Sequence, residues 1–97
     1  MIKSFKNLAT EDIFNGKNSK LARKICPQNL WQIARRKLEQ LDSIISLNEL
    51  KIPLGNQLES LKGDRNGQYS IRINQQYRIC FIWQNNHIWE VEIIDYH

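Results

Sequence analysis

Two arginines in the C-terminal half of the chain have a spacing that could let them bind one anion together. Residues 69–73 and 77–83 each alternate apolar and polar side chains, which is typical of strands with one buried face. If residues 74–76 form a hairpin loop, Arg72 lies directly opposite Arg78. Two opposed arginines repel each other and destabilise a sheet. Their placement therefore favours a face that binds an anion.

The apolar residues of the two runs support this register. A three-residue loop at 74–76 sets Ile71 opposite Ile79, so that apolar side chains meet on the buried face. A two-residue loop would set Arg78 against Ile73. Because a slip of one residue moves every side chain of a strand to its other face, the pattern predicts the three-residue loop.

A further strand brings a tyrosine to the face that carries the arginines, here called the arginine face. The alternation resumes after Trp83, and a predicted loop at 85–87 sets Trp83 opposite Trp89. The same register places Tyr96 diagonally next to Arg78. We also predict a short strand within residues 57–61, ahead of the hairpin.

Other polar residues border this face. His97 follows Tyr96 at the end of the sequence, whereas Asp95 points to the opposite face unless the strand ends there. Lys62 lies in the predicted loop 62–67 and could lean over the arginines. Each residue also has a structural interpretation: a terminal histidine is often frayed, and Tyr96 could cap the edge of the core. Likewise, the arginines could pair with the glutamates of the last strand, Glu90 and Glu92.

Such a set of side chains could cleave RNA through the attack of its own 2′-hydroxyl. This reaction needs a group that takes the 2′ proton, a group that protonates the leaving 5′ oxygen, and positive charge at the phosphate. Arginine and lysine supply charge and hydrogen bonds. His97 has a suitable intrinsic pKa range for proton transfer, and Tyr96 could stack on a base or assist with a proton. No metal is required, and the sequence contains no recognisable cluster of metal ligands.

The N-terminal half predicts the helices that support the sheet. A short strand at 2–5 precedes a short helix with Thr10 as N-cap and Gly16 after its end, and residues 17–26 can form a second helical stretch. Pro27 suits the first turn of an amphipathic helix. The inward positions of that helix are Leu30, Ile33, Ala34, Leu38, Leu41 and Ile45. The predicted fold is α+β: one domain over residues 1–97, with helices packed on one face of a mainly antiparallel sheet.

Positive charge is also present on the outer face of this helix, at Arg35, Arg36 and Lys37. A solvated helix surface is the ordinary explanation, and a second contact with RNA phosphates is the alternative. The whole chain of 97 residues has 14 Lys and Arg against 10 Asp and Glu, a net charge of +4 that is compatible with an anionic partner.

Composition restricts the setting in which the protein acts. Cys26 and Cys80 are too far apart in the sequence for a metal-binding motif, so reduced thiols are expected. No apolar run approaches the ~18 residues of a membrane span, and residues 1–6 are too polar for a secretory signal. We therefore expect a cytoplasmic protein.

Several short segments, in this order, resemble the HigB family of toxins, the plasmid-maintenance killer type within the RelE-like superfamily. They are MIKSFK at 1–6, LKGDR at 61–65, Gly67, SIRIN at 70–74, YRI at 77–79 and DYH at 95–97. The resemblance implies a RelE-like fold and a ribosome-dependent mRNA endonuclease that cuts mRNA in the ribosomal A site without a cofactor. It also implies two partners, the 70S ribosome with its mRNA and a helix-turn-helix antitoxin similar to HigA, encoded by a neighbouring gene.

Carried over by residue, the resemblance assigns the site. Its catalytic residues would be Lys62, Arg72, Arg78, Asp95, Tyr96 and His97. The positive charge of the chain, rather than the resemblance, makes Arg65, Arg35, Arg36 and Lys37 the candidate RNA-binding residues. One position departs from the pattern, because Glu59 stands where some members carry a histidine. The identity of the general base therefore stays open. A non-catalytic module that blocks translation by occupying RNA or the ribosome is the alternative function. Removal of Arg78 is expected to leave the fold intact.

Overall fold

A computed structural model describes residues 1–96, in which three α-helices pack against a four-stranded sheet. The helices are α1 (Leu8–Phe14), α2 (Lys20–Ile25) and α3 (Trp31–Ser43), and the strands are β1 (Glu59–Ser60), β2 (Gln68–Arg72), β3 (Tyr77–Gln84) and β4 (His87–Asp95). The strands follow one another in the order β1-β2-β3-β4, and each neighbouring pair is antiparallel. The predicted α+β class is therefore confirmed. Short 3₁₀ turns occupy the connections at Gln28–Leu30, Leu47–Lys51, Leu54–Asn56 and Gly63–Arg65.

The hairpin of β2 and β3 has the predicted register. Ile71 pairs with Ile79, and Arg72 pairs with Arg78. Asn74 closes the three-residue loop, because its side-chain oxygen accepts hydrogen bonds from the backbone N–H groups of Gln76 and Tyr77. An asparagine that bonds its own downstream backbone is a common device in tight turns.

The predicted loop of the second hairpin is wrong. Trp83 pairs with Ile88 rather than with Trp89. The turn has only two residues, Asn85 and Asn86, whose φ angles are 54° and 62°. Positive φ at both central residues is the mark of the type I′ turn, whose twist matches that of the flanking strands.

A β-bulge in β4 compensates for the shorter turn. Between the pair Cys80–Glu92 and the pair Ile82–Trp89, β4 has one residue more than β3, and Glu90 takes a φ of 52°. A bulge inserts one residue into one strand and shifts the register beyond it. The register near Arg78 is consequently the predicted one, despite the error at the turn.

The helix ends differ in part from the predictions. Asn7, not Thr10, caps α1, since its side-chain oxygen accepts the N–H of Thr10 at 2.9 Å. Thr10 is buried and its hydroxyl accepts the backbone N–H of Ile93 at 3.1 Å, which ties α1 to β4. Gly16, with φ 75°, follows the end of α1 as predicted. Because α3 ends at Ser43, the predicted core residue Ile45 is 82% exposed.

The core lies between the helices and one face of the sheet. Its members include Ala34, Leu38 and Leu41 from α3, and Ile71, Ile79, Phe81, Val91 and Ile93 from the strands. Near the N-terminus, Ile2 and Phe5 form isolated parallel bridges with β4 instead of the predicted strand. Among residues 1–96, no helix combines the length and the apolar character needed to cross a membrane.

Candidate active site

The arginine face of the sheet is turned away from this core. Side chains alternate along a strand, so the burial of Ile71 and Ile79 in the core places Arg72 and Arg78 together on the other face. Directly paired side chains on neighbouring strands have Cβ atoms about 4.5–5.5 Å apart. Two cations are therefore held side by side, as the sequence predicted.

Arg78 is buried and firmly held. Only 5% of the residue is exposed, its Nε donates to Ser70 Oγ at 2.7 Å, and one Nη donates to the carbonyl oxygen of Gln57 at 2.7 Å. The same Nη lies 3.9 Å from a carboxylate oxygen of Glu59. The expectation that the fold is indifferent to Arg78 must be revised, because its loss would leave a buried hydroxyl without its partner.

Arg72 is held differently from its neighbour. It is half-buried, and within residues 1–96 it makes neither a side-chain hydrogen bond nor a salt bridge. The predicted alternative, pairing of the arginines with the last-strand glutamates, does not apply to Glu92. That carboxylate instead binds Lys6 at 3.3 Å and Arg65 at 3.1 Å. Among residues 1–96 no carboxylate therefore neutralises the positive charge of Arg72.

Tyr96 lies where the sequence predicted it, beside Arg78. The guanidinium carbon of Arg78 is 5.5 Å from the centre of the tyrosine ring, within the range of a cation–π contact. The backbone N–H of Tyr96 donates to the carbonyl of Gln76 at 2.6 Å, which extends the pairing of the strands past the end of β4. The residue is 38% exposed, so it does not serve as a cap on the core.

Sequence reasoning missed the position of Glu59 beside the arginines. Its place in the short strand β1 sets it opposite Ser70, and therefore on the arginine face. The hydroxyl of Tyr96 donates to one carboxylate oxygen of Glu59 at 3.4 Å, and Arg78 approaches the other. The signal was present in the sequence: extending the pairing across the loop 62–67 would have placed Glu59 by the same parity argument as Arg72.

Glu59 and Tyr96 border an open groove of about 580 Å³, here called the β1 groove. Its lining residues are Glu59, Ser60, Leu61, Lys62, Arg65 and Tyr96. Lys62 is exposed and, among the described residues, its side-chain ammonium has no hydrogen-bond or carboxylate partner. Its position in the loop before β2 brings its charge to the groove, whose lining includes neither Arg72 nor Arg78. The groove therefore combines a carboxylate, a phenol and a cation available to a ligand.

The other predicted site residues have different surroundings. Arg65 reaches the groove, but Glu92 and Gln68 each bind its guanidinium at 3.1 Å, and the hydrogen bond to Glu92 raises the pKa of Arg65. Asp95 lies opposite Tyr77 and accepts a hydrogen bond from Gln76 at 3.1 Å. Burial and the nearby Asp95 carboxylate raise the pKa of Tyr77. His97, predicted to transfer protons, lies outside the described residues.

The predicted basic patch of α3 lies on the helical side of the sheet. Arg35 donates from Nε to the carbonyl of Ile13 at 3.3 Å, and Lys37 donates to the side-chain oxygen of the buried Asn56. Burial and the adjacent Arg36 lower the pKa of Lys37. Arg36 itself is exposed. The structure thus separates this patch from the arginine face, although both are basic.

The cysteines take no part in this chemistry. Both thiols are free and buried, and burial raises the pKa of Cys26 and of Cys80 to about 11. A protonated thiol is a poor nucleophile. Within residues 1–96 no three His, Cys, Asp or Glu side chains are grouped so that they could hold a metal ion.

Comparison with known proteins places the chain in a family. The model of the HigB-like toxins, RelE-like toxins of the type II toxin–antitoxin system HigB, matches residues 3–97. Toxin HigB-1 of Vibrio cholerae serotype O1 is 42% identical over 60 residues, which cover 62% of this chain and 63% of that protein. An uncharacterized protein of Haemophilus influenzae is 39% identical over 62 residues, or 64% and 61% of the two chains. The matched region thus spans less than two thirds of the length of these relatives.

Solved structures agree on the fold. Chains from the YoeB–YefM complex of Staphylococcus aureus, and from a heterotetrameric YoeB–YefM toxin–antitoxin complex of the same organism, superpose with TM-scores of 0.58 and 0.60. In both cases the match covers 100% of this chain and 98% of the other at 20% identity. The family match over residues 3–97 shows that the chain belongs to the HigB-like family of RelE-like toxins from type II toxin–antitoxin systems, and the fold agrees with it.

Proposed function

We propose that this toxin is a ribosome-dependent mRNA endonuclease that cuts mRNA in the ribosomal A site and thereby inhibits translation. One observation carries the proposal: a fixed arginine, Arg78, contacts both a carboxylate and a phenol at the edge of an open basic groove. This arrangement supplies a proton acceptor, hydrogen-bond donors and positive charge within a few ångströms, as metal-independent RNA cleavage requires.

The proposed reaction begins at the 2′-hydroxyl of the RNA. Glu59 takes its proton, and the 2′ oxygen attacks the adjacent phosphorus. The bond from phosphorus to the 5′ oxygen breaks, which leaves a 2′,3′-cyclic phosphate on one product and a 5′-hydroxyl on the other. As the base, Glu59 would replace the histidine that some members of the family carry at this position.

The remaining residues stabilise charge or complete the proton transfer. Arg72, Arg78 and Lys62 bind the phosphate oxygens, on which negative charge increases in the transition state. Tyr96 or His97 protonates the leaving 5′ oxygen, or orients the nucleotide by stacking. Asp95 supports this end of the chain, since Gln76 donates a hydrogen bond to its carboxylate and accepts one from the N–H of Tyr96.

The ribosome is the proposed source of positioning. The β1 groove is open, and its proton-transfer groups are few, so the toxin alone orients a flexible RNA poorly. Holding the RNA in a reactive geometry is worth a large part of a catalysed rate. We therefore expect efficient cleavage on programmed ribosomes and little cleavage of naked mRNA.

An antitoxin is the second proposed partner. The two Staphylococcus aureus structures of the same fold are toxin–antitoxin complexes. For the present chain we propose a helix-turn-helix antitoxin similar to HigA, encoded by the adjacent gene and acting in the cytoplasm.

Mapping of mRNA 5′ ends after induction in growing bacteria tests the enzymatic proposal. New ends within translated codons are expected for the parent and not for the variant Glu59→Gln at equal expression. Growth arrest without new ends would instead support the alternative, a basic module that blocks translation by occupancy. Cleavage of naked mRNA at the rate seen on ribosomes would contradict the ribosome-dependent part.

A further inference from the structure

A second groove lies on the helical side of the molecule, between α3 and the segment around Pro53. It has a volume of about 380 Å³ and is here called the helix groove; its lining residues are Ile33, Arg36, Lys37, Gln40 and Pro53. It shares no lining residue with the β1 groove. The proposed reaction uses none of these side chains.

Exposed aliphatic residues flank Pro53, which is one of the residues that line this groove. Ile52 and Leu54, on either side of Pro53 in the chain, are 73% and 86% exposed, and Ile33 within the groove is partly buried. Scattered exposed hydrophobic residues are normal, but contiguous ones bordered by polar groups mark interaction sites. Here the border is cationic, because Arg36 and Lys37 line the same groove.

This combination fits a protein better than RNA. An RNA strand would place phosphates on the two cations and leave the aliphatic side chains in water, and no aromatic ring lines the groove on which a base could stack. An amphipathic protein segment would cover the aliphatic groups with its apolar side and pair its acidic residues with Arg36 and Lys37. The charge of the groove requires that this partner be acidic.

We propose that the helix groove is a docking site for an acidic, amphipathic segment of the antitoxin. The proposal rests on the proposed function for the existence of that partner, and it adds the surface and the chemistry of the contact. The occupant binds on the helical side of the sheet, so it leaves the carboxylate and the phenol of the β1 groove uncovered.

The lysine of the groove strengthens the case. Lys37 is partly buried and donates to the side-chain oxygen of Asn56, which is completely buried. Burial disfavours the charged form of Lys37, and a carboxylate of the occupant would give this cation a negative partner. Arg36, which is exposed, offers a second cation whose side chain can adjust to the bound segment.

The test uses the purified product of the reading frame adjacent to that of the toxin, titrated by calorimetry into the toxin carrying Glu59→Gln, which limits toxicity during preparation. The added substitution Arg36→Glu should weaken binding by about tenfold or more, since a like charge then faces the acidic segment. Leu54→Ser should weaken it about threefold to tenfold through lost apolar contact. The matched control is Arg23→Glu, on the exposed side of α2, and it should stay within about twofold because only long-range charge changes.

Three results would overturn the proposal. The first is that the product of the adjacent gene does not bind the toxin. The second is that both groove variants bind it within about twofold of the affinity of the toxin without them. The third is that Arg36→Glu no longer pellets with 70S ribosomes but keeps its affinity for the antitoxin. The last result would assign the groove to RNA. Because 5′-end mapping of the parent is an independent measurement, failure of the docking site is distinguishable from failure of the enzymatic proposal.

Discussion

The two basic surfaces of this toxin hold their cations in different ways. On the arginine face, Arg78 is 5% exposed and is fixed by a hydroxyl and a backbone carbonyl. On α3, Arg36 is exposed, and no hydrogen bond or salt bridge holds its side chain among residues 1–96. Burying a charge costs free energy that an exposed cation does not incur. The difference indicates a preorganised group on the sheet, suited to a transition state, and an adaptable group on the helix, suited to a partner.

A similar contrast exists within the arginine face itself. Arg78 and Arg72 occupy paired positions, yet only Arg78 has hydrogen-bond partners among residues 1–96. We infer that Arg78 meets the phosphate in a fixed orientation, whereas Arg72, which has no such hydrogen bonds among residues 1–96, adjusts to the bound phosphate. Substitutions can therefore distinguish fixed groups from adaptable ones, and groups in the β1 groove from those on α3.

The largest effect is expected for Glu59→Gln. This change keeps the size of the side chain but removes the proposed proton acceptor, so single-turnover cleavage on programmed ribosomes should slow by roughly 10²–10⁴. Glu39→Gln on the exposed side of α3 is the matched control and should cleave as the parent does. If Glu59→Gln cleaves within about threefold of the parental rate, the loss is far smaller than removal of a general base usually causes. Glu59 would then not be the base.

Arg78→Lys should come next, with a loss of roughly 10²–10³ in the same assay. Lysine keeps the charge but cannot donate in the forked geometry of the guanidinium, so the contacts to Ser70 and Gln57 would be lost or distorted. The thermal midpoint should fall as well, since those contacts are buried. Arg36→Lys is the control for the same chemical change at an exposed position. Full activity of Arg78→Lys would show that charge alone is needed.

Much of this site follows from strand parity. Alternating apolar residues set Arg72 opposite Arg78 and brought Tyr96 to the same face, because core burial permits only one register. The fold class follows in the same way from the helical and strand periodicities. Even the wrong turn at 85–87 did not disturb this result, since the bulge at Glu90 restores the register.

Long-range contacts were not predictable by this argument. Arg78 is buried because Gln57, which is 21 positions earlier, supplies a carbonyl from a segment with no repeating pattern. Glu59 belongs to a strand of only two residues, which is too short to show alternation by itself, so only its pairing with β2 across the loop 62–67 could have placed it. At α1, both Asn7 and Thr10 are common capping residues, and tertiary contact with β4 decided which one caps the helix.

Arg72 and Arg65 should contribute differently to cleavage, although both by less than Glu59 and Arg78. Arg72→Ala removes a charge with no partner of its own among the described residues, and cleavage should fall about 10- to 100-fold, the equivalent of a charged hydrogen bond of ~1.5–3 kcal/mol. Arg65→Ala removes a charge that Glu92 already neutralises, so the loss should stay within about threefold, as for other exposed ion pairs. Equal losses for the two variants would mean that Arg65 exchanges Glu92 for the RNA.

The smallest effect on activity is expected at Asn56, which links the two surfaces. This buried residue accepts from Lys37, donates to the carbonyl of Leu50 at 3.1 Å, and precedes Gln57, whose carbonyl holds Arg78. Asn56→Ala should lower the free energy of unfolding by about 1–3 kcal/mol through unpaired buried groups. It should also slow cleavage about fivefold, a fraction of the 10²-fold that a displacement of ~1 Å can cause.

Loss of stability alone must be separated from loss of alignment. Thr10→Val provides the control, since Thr10 is equally buried and bonds the backbone of Ile93, yet lies on α1 away from the segment that holds Arg78. Measured well below both thermal midpoints, Thr10→Val should be destabilised and fully active, whereas Asn56→Ala should be destabilised and slower. If both variants keep the parental rate, the carbonyl of Gln57 stays in place without Asn56. The hold of Gln57 on Arg78 would then not depend on Asn56, and the two basic surfaces would be independent.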